Sequence, residues 1–140
     1  MENQGELKLR IGTFNLRNTT DHYEKRLPLI NETLKRMNFH VAGFQEVSFL
    51  EKNQISDINS DGKFKAYLAS TQLNYGKTND IEDEKFNIDG NAFLVDSELI
   101  KGEVLHEVLH LSPIRCAHML TFFIGGLRVS NILRERDSFR

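Results

Sequence analysis

The sequence predicts an α/β fold that begins with a strand, a helix and a second strand, and three observations support this prediction. Apolar and charged residues alternate within residues 7–16, as they do in a half-buried strand. Apolar residues then recur at helical spacing from Leu27 to Met37. Residues 41–46 form a short apolar run that ends in a carboxylate, as in a buried strand. Such a βαβ unit has parallel strands and a right-handed crossover.

The predicted helix has two alternative starts. Asp21 and Glu24 have the spacing of a capping box, which would begin the helix immediately after Asp21. Pro28 would then lie in the second turn. Because proline is favoured in the first turn of a helix, a start nearer Pro28 competes with the capping box.

Short apolar or alternating runs predict further strands in the rest of the chain. The segments predicted as strands are 64–68, 91–95, 104–111, 115–124 and 127–133. The last two flank Gly125-Gly126, which predicts a β-hairpin. Residues 71–89 are predicted to be a surface loop, whereas the polar residues 47–62 have no clear assignment.

The chain is predicted to contain one domain, residues 7–133, between an N-terminal tail of residues 1–6 and a charged tail of residues 134–140. The apolar share of 39% and the charged share of 27% are typical of a soluble globular protein. No segment approaches the roughly 20 apolar residues of a membrane span. The sequence predicts no particular oligomeric state.

The N-terminal sequence, the cysteine content and the net charge indicate where the protein is expected to be located and how it could bind a substrate. The first residues lack the pattern of a secretory signal, and a single cysteine, Cys116, suits a reducing compartment. An intracellular location, cytoplasmic or nuclear, is therefore expected. The net charge of −2 gives no overall attraction to nucleic acid, so a phosphate-bearing substrate would have to be held locally.

Asn15 and Glu46 are the first candidate site residues because each closes a strand of the βαβ unit. Ligands of such sheets gather at the carboxyl ends of the strands. Mg²⁺ prefers oxygen ligands and usually takes one or two protein carboxylates beside water and phosphate. Glu46 could be such a carboxylate, and Asn15 could offer an amide oxygen to the metal or an NH₂ group to phosphate. The alternative is that Asn15 caps a turn and Glu46 is a solvated strand end.

Several segments resemble, in the same order, motifs of the endonuclease/exonuclease/phosphatase, or deoxyribonuclease-I-like, superfamily. Residues 11–17 (IGTFNLR) resemble its first strand, which ends in Thr-x-Asn, and residues 41–47 (VAGFQEV) resemble its Leu-Gln-Glu-Val segment. Residues 89–94 (DGNAFL) are similar to its Gly-Asn-Ala-Ile-Leu strand, and residues 129–131 (VSN) match the start of its Val-x-Asn-Thr-His-Leu. The resemblance implies the N-terminal portion of a deoxyribonuclease-I-like four-layer α/β sandwich.

The resemblance also implies a function. Members are magnesium-dependent phosphoesterases, so a phosphodiester or phosphomonoester substrate is expected, either nucleic acid or a phosphorylated small molecule or lipid. Glu46 is then expected to ligate Mg²⁺ and Asn15 to assist at the metal or the phosphate, which makes both the predicted catalytic residues. Asn91 and Arg115 are the predicted substrate-binding residues, on the phosphate side.

The sequence departs from the family pattern after Asn131, where Ile132 and Leu133 replace Thr-His. The family's later Gly-Asp-x-Asn and Asp-His motifs, which orient the phosphate and activate water, have no counterpart up to residue 140. Two look-alikes, Asp57-Ile58-Asn59 and Asp21-His22, lie in the wrong settings. The alternative function is therefore an inactive truncated product that acts at most as a metal- or partner-binding module. Half of such a sandwich is also expected to expose an apolar sheet face.

The remaining histidines and the cysteine have structural interpretations. His106 and His110 have the spacing of a zinc pair on a helix, but four residues of a strand span about 13 Å, which is too far for one zinc ion. His40 and His118 are expected to be partly buried sheet residues, and Cys116 a core thiol.

Overall fold

The computed structural model describes seven segments of the chain. They are residues 8–17, 22–48, 53–70, 89–100, 102–112, 115–124 and 127–134. Residues 71–88 of the predicted loop 71–89 and the predicted turn at Gly125-Gly126 lie outside these segments, whereas Asp89 already begins a strand. No helix in them is long and apolar enough to cross a membrane.

The first half of the chain forms a mixed sheet and two helices. The elements are β1 (Ile11–Asn15), α1 (Tyr23–Met37), β2 (Val41–Ser48), α2 (Gln54–Ile58), β3 (Phe64–Ser70) and β4 (Asp89–Asp96). The strands lie in the order β1-β2-β4-β3. β1 pairs with β2 in parallel, while β4 is antiparallel to both β2 and β3. The predicted βαβ unit is therefore confirmed.

The second half forms a separate antiparallel sheet of β5 (Leu105–Ser112), β6 (Arg115–Ile124) and β7 (Leu127–Arg134), in that order. These bounds agree with the predicted strands within one residue, and β6 and β7 pair as the predicted hairpin does. The register is continuous from the pair Ile124 and Leu127 to the pair Ala117 and Arg134.

Helix α1 takes the earlier of its two predicted starts. It begins at Tyr23, its N-cap is His22 without a side-chain cap bond, and Pro28 lies inside it. The start nearer Pro28 is therefore wrong, and Asp21 of the predicted capping box lies outside the described residues. A proline in a helix interior loses a backbone hydrogen bond. Packing of the apolar face, including Ile30 and Leu34 in the core, stabilises the helix instead.

Gly12 leaves room for the side chain of Met37 at the end of α1. A Cβ atom at this position would lie 2.8 Å from Met37 Cε in the last turn of the helix. A larger residue would displace the end of the flexible Met37 side chain. The glycine in the first motif therefore has a packing role.

Strand β1 is shorter than the predicted 7–16, and one face is less buried than the alternation suggests. Leu9 packs at the interface between the sheets, but Ile11, on the same face, is 52% exposed. β1 is an edge strand, and the apolar residues that the second sheet covers come mainly from β2, β3 and β4. The better-buried side chains near β1, Phe14 and Leu16, face the α1 side instead.

Two apolar clusters divide the described structure into layers. One lies between the helices and the first sheet and includes Leu34, Phe44 and Leu94. The other lies between the two sheets and includes Val41, Phe93 and Phe122. Helices, first sheet and second sheet are therefore stacked in succession, as the predicted α/β sandwich requires.

The outer face of the second sheet exposes several large apolar side chains to solvent. Strand β5 alternates strictly between exposed and half-buried residues. Its exposed leucines lie on the face away from the first sheet, together with Phe123 of β6; the set is Leu105, Leu109, Leu111 and Phe123. This is the kind of uncovered apolar sheet face expected of half a sandwich.

A histidine pair joins β5 to β6 inside the inter-sheet layer. His106 Nε2 lies 2.6 Å from His118 Nε2, and His118 is fully buried. His118 also packs edge-on against Phe93 of β4, and His106 against Tyr67 of β3. One ring must accept at Nε2, so the two rings together take up at most one extra proton while this contact lasts.

We expect the histidine pair to make the fold less stable at acid pH. Below about pH 6.5 the unfolded chain protonates both rings, whereas the folded chain cannot, so the unfolded state binds more protons and stability falls with falling pH. The expected slope from this pair is about 1.4 kcal/mol per pH unit. Urea unfolding between pH 5 and pH 8 measures it.

His106→Gln is the matched variant, because a neutral amide facing His118 removes the conflict. The pH dependence of the stability of this variant should be shallower than that of the wild type. Parallel pH profiles in the two proteins would contradict this prediction.

Candidate active site

Asn15 and Glu46 lie at the carboxyl ends of neighbouring parallel strands, at one edge of the first sheet. Asn15 pairs with Gln45 in the register of β1 and β2, which places it beside the residue preceding Glu46. Adjacent strands are about 4.8 Å apart, so the Asn15 and Glu46 backbones are close neighbours. The βαβ unit thus brings the two candidates together.

Asn15 makes the turn that follows β1. Its Oδ1 accepts a hydrogen bond from the backbone N–H of Arg17 at 2.9 Å, and Arg17 has a positive φ of 54°. The turn-capping alternative for Asn15 is therefore present in the structure. An amide oxygen has two lone pairs, so this bond leaves one acceptor site of the exposed side chain for a ligand.

Glu46 lies in a β-bulge with an unusual backbone conformation. Phe44 pairs with Ala92 and Val47 with Gly90, so Gln45 and Glu46 together face the single residue Asn91. The φ of Glu46 is +50°, and it is the only non-glycine residue within a described strand that has a positive φ. A non-glycine residue in this region costs about 1–2 kcal/mol, and such strain and bulges concentrate at functional sites.

The Glu46 carboxylate is half-buried and makes no hydrogen bond or ion pair with another described residue. The neighbouring Gln45 does have a partner, because its Nε2 donates to Thr13 Oγ1 at 2.7 Å. Of these two adjacent side chains, Gln45 is bonded to β1 and Glu46 has a carboxylate without a partner among the described residues. An oxygen ligand of this kind suits Mg²⁺.

Gln54 of α2 ties the two strand ends together. It is 2% exposed, its Oε1 accepts from the Ser48 N–H at 2.9 Å, and its Nε2 donates to the Arg17 carbonyl at 3.3 Å. One side chain thus connects the end of β2 to the turn after β1. No helix was predicted in this region from the sequence. Asn53 could have indicated one, because asparagine is a preferred N-cap residue, and its side chain does cap α2 by accepting a hydrogen bond from the Ser56 N–H.

Asn91 lies on β4 opposite the bulge and is fully buried. Its Nδ2 donates to Cys116 Sγ at 3.8 Å, and its Oδ1 has no hydrogen-bond partner among the described residues. Leaving a buried acceptor unpaired costs about 1–3 kcal/mol, so the amide oxygen calls for an explanation other than folding stability.

Arg115 is the first residue of β6 and directly precedes Cys116. Its backbone therefore lies on the second sheet next to the sulfur that Asn91 contacts, while its side chain is outside the described part of the structure. All four predicted site residues thus occupy the same end of the sandwich. Asn15 and Glu46 come from neighbouring strands, whereas Asn91 and Arg115 are connected to them through β4 and β6.

His110 is a further residue of this end that the sequence did not suggest. It pairs with Cys116 in the β5–β6 register, and its Nε2 is buried without a partner among the described residues. His106 and His110 both lie on strand β5, as the sequence predicts. Only the hairpin register, which the sequence does not specify, reveals the pairing with Cys116.

The look-alike motifs have structural partners. Asp57 Oδ2 accepts from the Tyr23 hydroxyl at 2.7 Å, and burial, together with this bond, raises the pKa of Tyr23. Asn59 holds both the N–H and the carbonyl of Phe64. His22 caps α1 through its backbone, and Asp21 lies outside the described residues. Asp57 and Asn59 therefore connect α2 to α1 and β3.

The donor set at this end suits a hard, oxygen-preferring cation. It comprises the Glu46 carboxylate and the amide oxygen of Asn15, whereas the fully buried Asn91 contacts Cys116 on the second sheet. Within the described segments no three His, Cys, Asp or Glu residues converge as a metal cage. A site with one carboxylate and several open positions is typical of Mg²⁺, which keeps much of its water shell.

Solved structures resemble this chain over most of its length. Truncated Caenorhabditis elegans TDP2 matches with a TM-score of 0.66 at 20% identity, over 91% of this chain and 46% of that one. D. rerio TDP2 complexed with a single strand DNA product matches with a TM-score of 0.67 at 10% identity, over 94% and 47%. An endonuclease/exonuclease/phosphatase family protein from Leptotrichia buccalis matches with a TM-score of 0.62 at 16% identity, over 89% and 52%.

These likenesses concern the fold. No protein-family model matches the chain, and no curated protein matches it significantly. The chain spans about half the length of the solved structures cited above. Its two sheets and helices have the architecture of the N-terminal portion of those proteins, which confirms the fold class and, at the level of fold, the resemblance drawn from the motifs.

We expect the strain at Glu46 to be measurable. Glu46→Gly removes the carboxylate and the strain, whereas Glu46→Ala removes the same carboxylate but keeps the Cβ atom in the left-handed region. The glycine variant should be more stable than the alanine variant by about 1 kcal/mol, after the larger chain entropy of unfolded glycine is included. Urea denaturation of the two proteins tests this, and an alanine variant of equal or greater stability would contradict it.

Proposed function

We propose that this chain, which folds as the N-terminal portion of endonuclease/exonuclease/phosphatase proteins, carries the metal-binding side of a magnesium-dependent phosphoesterase site. The observation that supports the proposal best is the strained bulge at Glu46. A half-buried carboxylate without a partner among the described residues lies there, next to the strand end that carries Asn15. A folding role does not explain a conformation that costs stability.

Glu46 would hold the metal ion, with Asn15 completing its protein contacts through the second lone pair of Oδ1. When bound, Mg²⁺ would polarise a phosphoryl oxygen and offset the charge that develops on it. Gln54 keeps the two ligands in register, because it bonds both to Ser48 after Glu46 and to the carbonyl of Arg17 after Asn15. The protein contribution is then mainly positioning.

Asn91 and Arg115 would act on the phosphate. The Asn91 side chain is oriented by the hydrogen bond from its Nδ2 to Cys116 Sγ. Its Oδ1 has no partner among the described residues and lies at the same end of the sandwich. Arg115 begins the strand next to it, and a guanidinium can bind two phosphate oxygens at once. No described residue is assigned to activate the attacking water.

Nucleic acid is the substrate class that we test first. One neighbour of similar fold, D. rerio TDP2, was solved with a single strand DNA product. The net charge of −2 means that the phosphate must be held by local groups instead of a broadly basic surface. Phosphorylated small molecules and lipids form the second class.

A non-catalytic module is the second candidate. Asn131 is followed by Ile132 and Leu133, where the family motif that this segment resembles continues with Thr-His. The backbone of these residues continues as a strand to Arg134. In this case Glu46 would still bind Mg²⁺, but no hydrolysis would follow.

We predict that Glu46→Gln weakens Mg²⁺ binding at least about tenfold, because the amide keeps the shape but loses the charge. Calorimetric titration with Mg²⁺ measures this, and hydrolysis of bis-p-nitrophenyl phosphate and of a single-stranded oligonucleotide measures activity. Glu98→Gln is the matched control, since Glu98 is an exposed carboxylate in the turn after β4.

Turnover that requires Mg²⁺ and disappears only in the Glu46 variant would support the phosphoesterase. Mg²⁺ binding that Glu46→Gln abolishes, without turnover by the wild type, would support the non-catalytic module. Equal Mg²⁺ affinity in all three proteins would contradict both.

A further inference from the structure

A cavity of about 490 Å³ lies on the helix side of the first sheet, away from Glu46. It is enclosed by the last turns of α1, the end of α2 and the start of β3. Phe64 begins β3, whereas Ser70, six residues later, pairs with Gly90, the partner of Val47 in the bulged region. At about 3.3 Å per residue, the cavity is roughly 20 Å from the candidate active site.

The floor of the cavity is apolar and preformed. Leu34, Phe39 and Phe64 belong to or pack against the helix-side core, and the rings of Phe39 and Phe64 stack with centroids 4.6 Å apart. The side chain of Asn59 holds Phe64 by two hydrogen bonds to its backbone, 2.7 and 3.0 Å long. A rigid floor lowers the entropic cost of binding a ligand.

The rim of the cavity is polar and carries two cations and one anion. Lys35 lies in the last turn of α1, and Lys63 precedes β3 with its Nζ 5.2 Å from the centroid of the Phe64 ring. Neither lysine forms an ion pair with another described residue. The anion, Asp61, already uses Oδ1 to accept from the Lys63 N–H at 3.1 Å.

We propose that this cavity binds a small organic anion with an aromatic body, at a site separate from the candidate active site. The volume falls in the range of small-molecule pockets, about 300–1,000 Å³. The aromatic body would contact Leu34, Ile58 and the edge of Phe64, and the anionic group would lie between Lys35 and Lys63. The proposal does not depend on phosphoesterase activity.

The ligand class follows from the combination of floor and rim. A neutral apolar molecule would leave two lysines without a counter-charge, and a simple inorganic anion would leave the apolar floor uncovered. An aromatic sulfonate, carboxylate or phosphate satisfies both. The amides of Asn31 and Asn38 and the hydroxyl of Ser60 line the same cavity and offer hydrogen bonds to the anionic group.

The test uses 1-naphthalenesulfonate as the probe and two control compounds. Neutral 1-naphthol represents the aromatic body alone, and inorganic sulfate represents the anionic group alone. Titrations followed by ¹H–¹⁵N spectra in the presence of EDTA report both affinity and place. The affinity for the sulfonate should be at least about tenfold higher than that for either control compound. The sulfonate should change the chemical shifts of the amide signals of residues 31–39 and 58–64.

Two charge-matched double variants make the test specific. K35E/K63E should lose about tenfold or more in sulfonate affinity, because both cations of the rim are reversed. K25E/K65E should bind like the wild type. Lys25 is exposed on the first turns of the same helix, and Lys65 makes the same kind of contact with Tyr67, Nζ 5.4 Å from its ring centroid, but neither lines the cavity.

Equal losses in the two double variants would overturn the proposal, because they would mean a general charge effect. Shifts confined to the exposed face of β5 and β6, at Leu105, Leu109, Leu111 and Phe123, would also overturn it, because the probe would then be covering that apolar surface. Shifts at residues 15 and 46 alone would assign the anion to the candidate active site and leave the cavity without a ligand.

Discussion

The parallel pairing of β1 with β2, together with the bulge in the pairing of β2 with β4, is the constraint on which the candidate site depends. The pairing runs in register from Ile11 and Val41 to Asn15 and Gln45, so both strands reach the same edge of the sheet. The bulge then inserts an extra residue opposite Asn91 and leaves Glu46 with a positive φ.

The surrounding elements maintain this arrangement. Gly12 leaves room for Met37 at the end of α1, and this helix forms the crossover between the two strands. Gln54 then connects the two strand ends through buried hydrogen bonds. The second sheet covers β2 and β4 through the apolar inter-sheet cluster, while β1, at the edge, keeps Ile11 and Asn15 exposed. The central strands of the sheet therefore provide the buried apolar contacts, and its edge strand provides the accessible site.

Local periodicity was sufficient to predict most of the helices and strands. The parallel topology of the βαβ unit was sufficient to predict that Asn15 and Glu46 are close together. The helix, the hairpin strands and the parallel unit all follow from residue patterns that act over a few positions. The bulge could not be predicted, because Glu46 has none of the intrinsic preference for a positive φ that glycine has. The exposure of Ile11 could not be predicted either, since it depends on which strands the second sheet covers. The His106–His118 contact requires the hairpin register, and the cavity requires the docking of α2, a short helix within a polar segment.

The most direct test of the central claim, that Glu46 and Asn15 form one metal site, is to locate a paramagnetic ion. Mn²⁺ added in substoichiometric amounts broadens amide signals steeply with proximity. We predict that the strongest broadening occurs at Asn15, Gln45 and Glu46, that Phe39 and Phe64 at the far end of the sheet are least affected, and that Glu46→Gln removes the pattern. Strongest broadening at any other cluster, or an unchanged pattern in Glu46→Gln, would contradict the claim.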